Sequence, residues 1–272
     1  MQLDSLDHVH FSVPDLARAE QLFRPWLPGE FTPAYGSEEM NAFGVWNMSG
    51  GDFIQAIDPT KPVFGGARID RHGILSVSFR VQDVDAGIKA ACAAGLELRS
   101  RVGSEDIGMG KNVIQAQFDP TASFGLGIEL VEREIPGDPH VPMTESSVDY
   151  IEHTTESVDA PRAFLTGLLE SAFEPVAYEE DTGARSFRNA RFGIQLTEPS
   201  GDDGPVHQRL AEFGAGLHAI AFRSSDLDRD SKRAEDVGLK LAVERGLGPG
   251  ARELEFLPEA GMILRLVERR EN

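Results

Sequence analysis

Two histidines, His8 and His10, stand two residues apart in an alternating segment near the start of the chain. On a strand their side chains share one face with Ser12, because successive side chains point to opposite faces. The other face is apolar and carries Val9 and Phe11. Since imidazole titrates near neutral pH and ligates metals, the polar row predicts a site, and His10 is our candidate general acid or base. The alternative is a sheet face that simply meets water.

A second segment shows the same alternation. Ser76, Ser78 and Arg80 form its polar row, and Val77 and Phe79 belong to its apolar row. We expect the apolar rows to face helices and the polar rows to line a concave side of the sheet. Ser76, Ser78 and Arg80 are therefore predicted to line a substrate pocket.

The elements that must position these residues recur along the chain. Leu-Asp-His-Val at 6–9 matches Val-Asp-Tyr-Ile at 148–151, an offset of 142 that aligns His8 with Tyr150. Residues 73–98 match residues 216–241 at an offset of 143. We also match residues 53–55 with residues 193–195, which aligns Gln55 with Gln195, and residues 130–133 with residues 266–269. The chain is thus interpreted as a tandem duplication.

Each half divides again into two modules. Each module opens with an alternating strand, continues with an Asp-bearing turn and a helix-period stretch, and ends in strand-like runs. The predicted fold class is α+β, with four β-α-β-β-β modules. We place them at residues 1–72 and 73–133 in the first unit and at 148–215 and 216–272 in the second. The proline-rich residues 134–147 are the predicted linker.

Helix signals support this division. Leu16, Ala19 and Leu22 recur at helical spacing after Asp15, a candidate N-cap. Cys92 lies in the second module's helix-like stretch, and its neighbours predict that it belongs to the core.

Composition excludes several classes of function. The chain has 272 residues and a net charge of −19, which argues against partners such as nucleic acid or an anionic membrane. A single cysteine excludes a disulfide framework and a zinc–thiolate cage. The N-terminus lacks the pattern of a signal peptide, and no apolar run is long enough for a membrane helix, so we expect a cytoplasmic protein.

The module order and the doubled spacing resemble the vicinal oxygen chelate superfamily, which includes glyoxalase I, methylmalonyl-CoA epimerase, extradiol dioxygenases and drug-resistance proteins. The resemblance is carried by the openers at 6–9 and 73–77 and the closers at 53–55 and 127–130. It implies a duplicated glyoxalase-like fold, in which paired modules form a U-shaped mixed sheet, here termed a cup. It also implies a small organic substrate with vicinal oxygens, and it allows a homodimer.

In such proteins each cup can hold one divalent metal. Carried over by resemblance, the metal ligands of the first cup are His8, Gln55 and Glu129, and Glu129 is also a catalytic candidate. These suit Mn²⁺, Fe²⁺, Zn²⁺ or Mg²⁺. Ser76 departs from the pattern, because the family places a histidine there. We do not expect His10 to share a metal with His8, because two residues along a strand rise about 6.6 Å.

The second cup is predicted to hold no metal. Its equivalent positions carry Tyr150, Gln195 and Arg265, and an arginine cannot ligate a cation. Glu152 faces the same cup, and we expect it to pair with Arg265 or Arg223. His153 and His218 have the parity of the apolar face and are predicted to be core histidines.

Two classes of function follow from these patterns. The first is a lyase, isomerase or ring-cleavage enzyme in which a metal stabilises an oxyanion or enolate in the first cup. The second is a metal-free small-molecule binding protein of the drug-resistance type. A cofactor-independent enzyme that uses His8, His10 and Glu129 as acid or base groups lies between them.

Overall fold

The structure is a computed structural model that describes residues 3–63, 69, 71–103, 113–133, 147–176, 183–247 and 251–269. Residues 134–146, nearly all of the predicted linker, lie outside these ranges. The predicted unit and module boundaries therefore remain predictions. Within the described ranges, no helix combines the length and the apolar character needed to cross a membrane.

The described part of the first half repeats a β-α-β-β-β order twice. Its first module contains β1 (Leu6–Ser12), α1 (Leu16–Phe23), β2 (Tyr35–Ser37), β3 (Ala42–Asn47) and β4 (Gly51–Ala56). Its second contains β5 (Gly73–Arg80), α2 (Val84–Ala93), β6 (Leu98–Gly103), β7 (Val113–Phe118), a short 3₁₀ helix (Pro120–Ser123) and β8 (Ile128–Arg133).

The described part of the second half repeats this order and includes a helix after β12. Its first module contains β9 (Val148–Thr154), α3 (Asp159–Leu169), β10 (Glu174–Pro175), β11 (Ala184–Asn189), β12 (Ile194–Pro199) and α4 (Pro205–Phe213). Its second contains β13 (Gly216–Ser224), α5 (Leu227–Asp236), β14 (Leu241–Gly246), β15 (Ala251–Phe256) and β16 (Ile263–Arg269).

Each half forms one mixed sheet of eight described strands, in the orders β2-β3-β4-β1-β5-β8-β7-β6 and β10-β11-β12-β9-β13-β16-β15-β14. The opening strand of each module runs parallel to its closing strand, and the two opening strands of each half pair antiparallel. The predicted duplicated α+β fold with four β-α-β-β-β modules is confirmed.

The alternation of side chains places the core as predicted. Val9, Phe11, Val77 and Phe79 are fully buried in one apolar cluster that draws residues from both halves. Phe222 of β13 contributes to this shared core, with its ring 6.1 Å from that of Phe23. The polar faces of β1 and β5 are therefore left to line the first cup.

Local helix signals are also borne out. The Asp15 side chain accepts a hydrogen bond from the Arg18 amide at 3.0 Å and caps α1. The prediction for Cys92 is wrong, because this residue is exposed. The buried face of α2 runs through Val84, Gly87 and Ala91, and Cys92 lies about 100° around the helix from Ala91.

Register shifts in two opening strands change the simple alternation. In β1 a register shift lies between Leu6 and His8. Leu6 and Val9 would face opposite sides of a regular strand because they are three residues apart, but the shift lets both reach the core. A shift in β13 lies between Leu217 and Ala219, with His218 between them. A bulged residue is re-aimed relative to its neighbours, and both bulges lie beside a cup.

Candidate functional site

The first cup brings three chemically competent side chains to one point. His8 and His10 come from β1 and Glu129 from β8, and all three are buried. The strands between them set the positions, since His10 lies opposite Ser76, His8 opposite Ser78, and Ser78 opposite Glu129. One nitrogen of each histidine and one carboxylate oxygen of Glu129 all lie within 4.8 Å of one another.

The two imidazoles converge more closely than the strand rise suggested. His8 Nε2 lies 2.9 Å from His10 Nε2, and His10 Nε2 lies 2.8 Å from Glu129 Oε2. The ring centroids are 4.6 Å apart at an interplanar angle of 71°. The backbone separation behind the predicted strain does not extend to the ring nitrogens, because the rings tilt toward each other, so this geometry allows both histidines to reach one metal.

A buried carboxylate holds the far nitrogen of each histidine. His8 Nδ1 lies 2.7 Å from Asp7 Oδ1, and His10 Nδ1 lies 2.8 Å from Asp52 Oδ2. A carboxylate on Nδ1 fixes the tautomer and ring orientation of an imidazole, and this is the usual outer shell of a metal-ligating histidine. Both Nε2 atoms are thus aimed at the same point of the cup.

Further contacts hold these carboxylates. Asp7 accepts hydrogen bonds from Arg80 at 2.7 Å and from Arg133 at 2.7 Å, and the Tyr35 hydroxyl donates to Asp52. Glu129 accepts from Ser76 at 2.7 Å and from Ser78 at 3.2 Å.

Charges in the cup set the protonation of the three groups. Burial outweighs the neighbouring carboxylate of Asp7 and lowers the pKa of His8 to about 4. Burial also opposes charge on His10, but the carboxylates of Glu129 and Asp52 raise its pKa to about 10. The His10 imidazolium in turn outweighs burial and lowers the pKa of Glu129 to about 2. Without a metal, His10 is a buried cation between two carboxylates, and His8 is neutral.

The structure does not bring Gln55 to this cluster. Its side-chain oxygen accepts a hydrogen bond from the Leu16 amide at 3.2 Å, on the helix side of the sheet. The residue of β4 that lies opposite His10 is Asp52. In the second half Gln195 lies opposite Glu152, so Gln195 corresponds to Asp52 at the offset of 143. The match of Gln55 with Gln195, an offset of 140, was three residues out of step.

Of the three residues predicted to line the substrate pocket, Ser76 lines a cavity, whereas Ser78 and Arg80 are not among its lining residues. Ser76 lines a cavity of about 300 Å³, together with His10 and Glu129. Ser78 is fully buried behind Glu129. Arg80 is turned toward Asp7, so it supports the histidine partner rather than the cavity.

We expect Asp7→Asn to weaken metal binding by the first cup about 10–100-fold, the usual effect of losing an outer-shell carboxylate. The substitution keeps the shape of the side chain but removes the charge that orients His8. Metal affinity is measured by competition with a chromogenic chelator. The matched control is Asp149→Asn in the second half, where Asp149 binds Arg188 and Arg269. Equal affinities for the two variants would contradict the role of Asp7.

The second cup contains a buried ionic network. Arg265 of β16 donates to Glu152 at 2.8 Å, as predicted, and also to Glu255 at 2.8 Å and to the Tyr150 hydroxyl at 3.0 Å. Arg209 of α4 donates to Glu152 at 2.7 Å from the other side. Burial opposes the charge on Glu152, but these guanidinium groups hold its pKa well below the ordinary value.

The remaining members complete the network on β12 and β15. Gln195 donates to Glu152 at 3.2 Å, and the Tyr150 hydroxyl donates to Glu253 at 2.6 Å. Arg245 binds both Glu253 and Glu255 at 3.0 Å. The positions equivalent to His8, His10 and Glu129 therefore carry Tyr150, Glu152 and Arg265, which bond to one another.

The two predicted core histidines are both buried, but one lies on the other face. His153 lies 3.0 Å from the Phe124 carbonyl through Nε2. The bulge in β13 turns His218 toward Arg71, with His218 Nε2 3.4 Å from Arg71 Nη1. The parity argument placed His218 on the apolar face because it could not foresee the bulge.

Acidification is expected to destabilise the fold through His153. Burial lowers its pKa from 6.5 to about 4. Because the unfolded chain binds this proton more readily, the stabilisation is complete above about pH 6.5 and is lost as the pH falls toward 4. The expected loss is about 3 kcal/mol. Urea unfolding across this range should show a shallower pH slope for His153→Leu, and an unchanged slope would contradict the assignment.

Several residues of the two cups were not found from the sequence. Asp7 precedes His8 in the chain, and Asp52 lies opposite His10 in the sheet. The repeat could have indicated both, because it aligns Asp7 with Asp149 at an offset of 142 and Asp52 with Gln195 at an offset of 143. Arg209 lies on α4, and the offsets of 142 and 143 align it with Ala67 and Gly66, so the repeat did not indicate it. Tyr35 reaches Asp52 from the short strand β2.

Comparisons with known proteins agree with this architecture. No protein-family model matches the chain. The chain is 29% identical over 96 residues to the "uncharacterized protein YqjC" of Bacillus subtilis, covering 35% of this chain and 69% of the relative. A variant of 4-hydroxymandelate synthase from Streptomyces coelicolor superposes with a TM-score of 0.68 at 19% identity, covering 100% of this chain and 94% of the other. A fusion of a xylose isomerase-like TIM barrel with 4-hydroxyphenylpyruvate dioxygenase gives 0.63 at 16% identity, covering 100% of this chain and 50% of the other. These likenesses show the fold.

Proposed function

Since this chain has the tandem fold of the vicinal oxygen chelate superfamily, we propose that its first half is a metal-dependent site that acts on a small organic molecule. One observation carries the proposal. His8 Nε2, His10 Nε2 and a Glu129 oxygen converge in a buried cup, each imidazole is held by a carboxylate, and a cavity of about 300 Å³ opens beside them.

The donor set fits a divalent transition metal. Two imidazole nitrogens and one carboxylate oxygen form a two-histidine, one-carboxylate set, which suits Fe²⁺ and also accommodates Mn²⁺ or Zn²⁺. Mg²⁺ prefers oxygen ligands and fits less well. His8 fits most directly, because it is neutral with Nδ1 on Asp7. His10 must give up its proton, and Asp52 would hold the freed imidazole in place.

When bound, the metal would supply Lewis-acid stabilisation of negative charge on a substrate oxygen. The residues of the cup supply the remaining functions. Asp7 and Asp52 orient the imidazoles, Ser76 and Ser78 orient Glu129, and the buried strands exclude water from behind the cluster. Lyase, isomerase and ring-cleavage reactions that pass through an oxyanion or enolate develop negative charge on a substrate oxygen, so these reactions are compatible with this arrangement.

A second candidate function is metal-free acid–base catalysis by His10. The observation in its favour is the pair of carboxylates that keeps His10 protonated, at a residue that lines the cavity. In that case His10 would donate a proton to the substrate, and Glu129 would stabilise the imidazolium.

The test is to purify the protein without chelator, measure its metal content by plasma mass spectrometry, and assay 2-oxo acids and catechols before and after metal removal. The proposal expects one metal per chain, loss of turnover on removal, and recovery on reloading. Turnover that survives metal removal but is lost in His10→Gln would favour acid–base catalysis. Ligand binding without turnover under every condition would instead identify a binding protein.

A further inference from the structure

A buried carboxamide lies beside the three converging ligands of the first cup. Gln115 of β7 is 2% exposed and lies opposite Val131, which shares the cup face of β8 with Glu129. Its Nε2 atom lies 3.5 Å from His8 Nε2, and among the described residues this is the one hydrogen-bond contact of the side chain. The contact is longer than an ordinary hydrogen bond. A buried amide that is satisfied so poorly indicates a missing partner, such as an ion.

The second half uses the equivalent position to bond the equivalent residue. Glu253 is the counterpart of Gln115, because both lie opposite the valine of the Leu-Val-Glu-Arg run that closes each half. Tyr150 is the counterpart of His8, and its hydroxyl donates to Glu253 at 2.6 Å. In both halves, therefore, this position of the sheet carries an oxygen-bearing side chain that contacts the same position of the opening strand.

The distances between the polar atoms are those expected between ligands of one metal ion. Donor atoms bound at about 2.1 Å, with bond angles of about 90–109°, lie about 3.0–3.4 Å apart. The observed separations are 2.8 Å between His10 and Glu129, 2.9 Å between His8 and His10, and 3.5 Å between Gln115 and His8. All three lie within about 0.2 Å of that range. Gln115 is thus close enough to His8 to share its metal.

The carboxamide can present either of its polar atoms to the centre of the cluster, because a half-turn of the amide exchanges oxygen and nitrogen. Without a metal, the NH₂ group faces the lone pair on Nε2 of His8, whose Nδ1 is held by Asp7. A cation bound to that lone pair would repel the NH₂ group and attract the amide oxygen.

We propose that the carboxamide oxygen of Gln115 is a fourth protein ligand of the metal in the first cup. The inference rests on the proposed function, since it needs a metal bound by His8, His10 and Glu129. It changes the donor set to two imidazole nitrogens, one carboxylate oxygen and one amide oxygen. Four protein ligands also leave fewer open positions on the ion for substrate oxygens than three would.

The test titrates Co²⁺ into the metal-free protein and follows its visible absorption, which reports both the affinity and the ligands of the ion. Wild type is expected to bind one Co²⁺ per chain. Gln115→Leu should bind it at least about tenfold more weakly and with changed absorption bands, because losing a ligand costs no less than losing an outer-shell partner. Gln117→Leu is the matched control and should match wild type, since Gln117 also lies on the cup face of β7 but accepts a hydrogen bond from Ser100 at 3.0 Å.

Gln115→Glu provides a second variant if Gln115→Leu does not fold. A carboxylate oxygen in place of the amide oxygen should keep tight Co²⁺ binding and shift the absorption bands, whereas unshifted bands would overturn the inference.

The remaining outcomes separate the inference from the proposed function. Wild-type affinity in Gln115→Leu would overturn the inference while the proposed function stands. Weaker binding with wild-type absorption bands would also overturn it, because Gln115 would then act on His8 from outside the coordination shell. A wild-type protein that binds no Co²⁺ would overturn both.

Discussion

Glu129→Ala is expected to remove bound metal and turnover together while leaving the fold intact. Glu129 supplies the only carboxylate among the three converging ligands, and its other contacts are hydrogen bonds from Ser76 and Ser78 and the ion pair with His10. His8→Ala should have the same effect. Metal content, turnover and circular dichroism of the purified variants are the measurements. If the site instead works without metal, the loss in rate should be about 10²–10⁴-fold, the usual contribution of a positioned proton-transfer group.

The matched control is Glu132→Gln, set beside Glu129→Gln. Both residues lie on β8, but Glu132 accepts a hydrogen bond from the Val84 amide at the start of α2 and lies outside the cluster. Glu132→Gln should keep both metal and turnover. If Arg265→Ala destroyed activity while Glu129→Ala and His8→Ala kept it, the working cup would be in the other half.

Glu152→Ala is expected to destabilise the protein by about 3–5 kcal/mol without any direct effect on metal binding. Glu152 is the buried anion on which Arg265 and Arg209 both converge, at 2.8 and 2.7 Å. Removing it leaves two buried guanidinium groups with too little compensating charge. The change in the free energy of unfolding is measured by urea denaturation at neutral pH.

The exposed carboxylate of Glu156 near the end of the same strand gives the control, and Glu156→Ala should change the unfolding free energy by less than about 0.5 kcal/mol. Adding Arg265→Met to Glu152→Ala should recover part of the loss, because it removes one of the uncompensated charges. Strictly additive losses in the double variant would argue against a coupled network.

Much of the fold could be predicted because it depends on two patterns that the sequence shows directly, the alternation of side chains along each strand and the repetition of one module. Alternation along β1 and β5 placed Val9 and Phe79 in the core, and the doubled spacing gave four modules of one kind. The tandem offsets then gave the correspondence of His8 with Tyr150 and of Glu129 with Arg265. These features are read directly from periodicity.

The site was harder to predict because it depends on bulges and on side-chain direction. The convergence of His8 and His10 comes from ring tilt, which strand rise alone does not reveal. The bulge between Leu217 and Ala219 turns His218 to the face opposite to the one that parity predicts. The predicted match of Gln55 with Gln195 is wrong, because the sheet aligns Gln195 with Asp52. Asp52 could have been predicted from the sequence, because the offset of 143 that relates residues 73–98 to residues 216–241 also aligns Asp52 with Gln195.

The most direct test of the metal site is anomalous diffraction from crystals of the protein purified without chelator, with data on both sides of the absorption edge of the metal found by elemental analysis. We predict one anomalous peak per chain, within bonding distance of His8 Nε2, His10 Nε2 and a Glu129 oxygen. A crystal with no peak at that point, or with a peak between Tyr150, Gln195 and Arg265, would contradict the assignment of a metal site to the first cup.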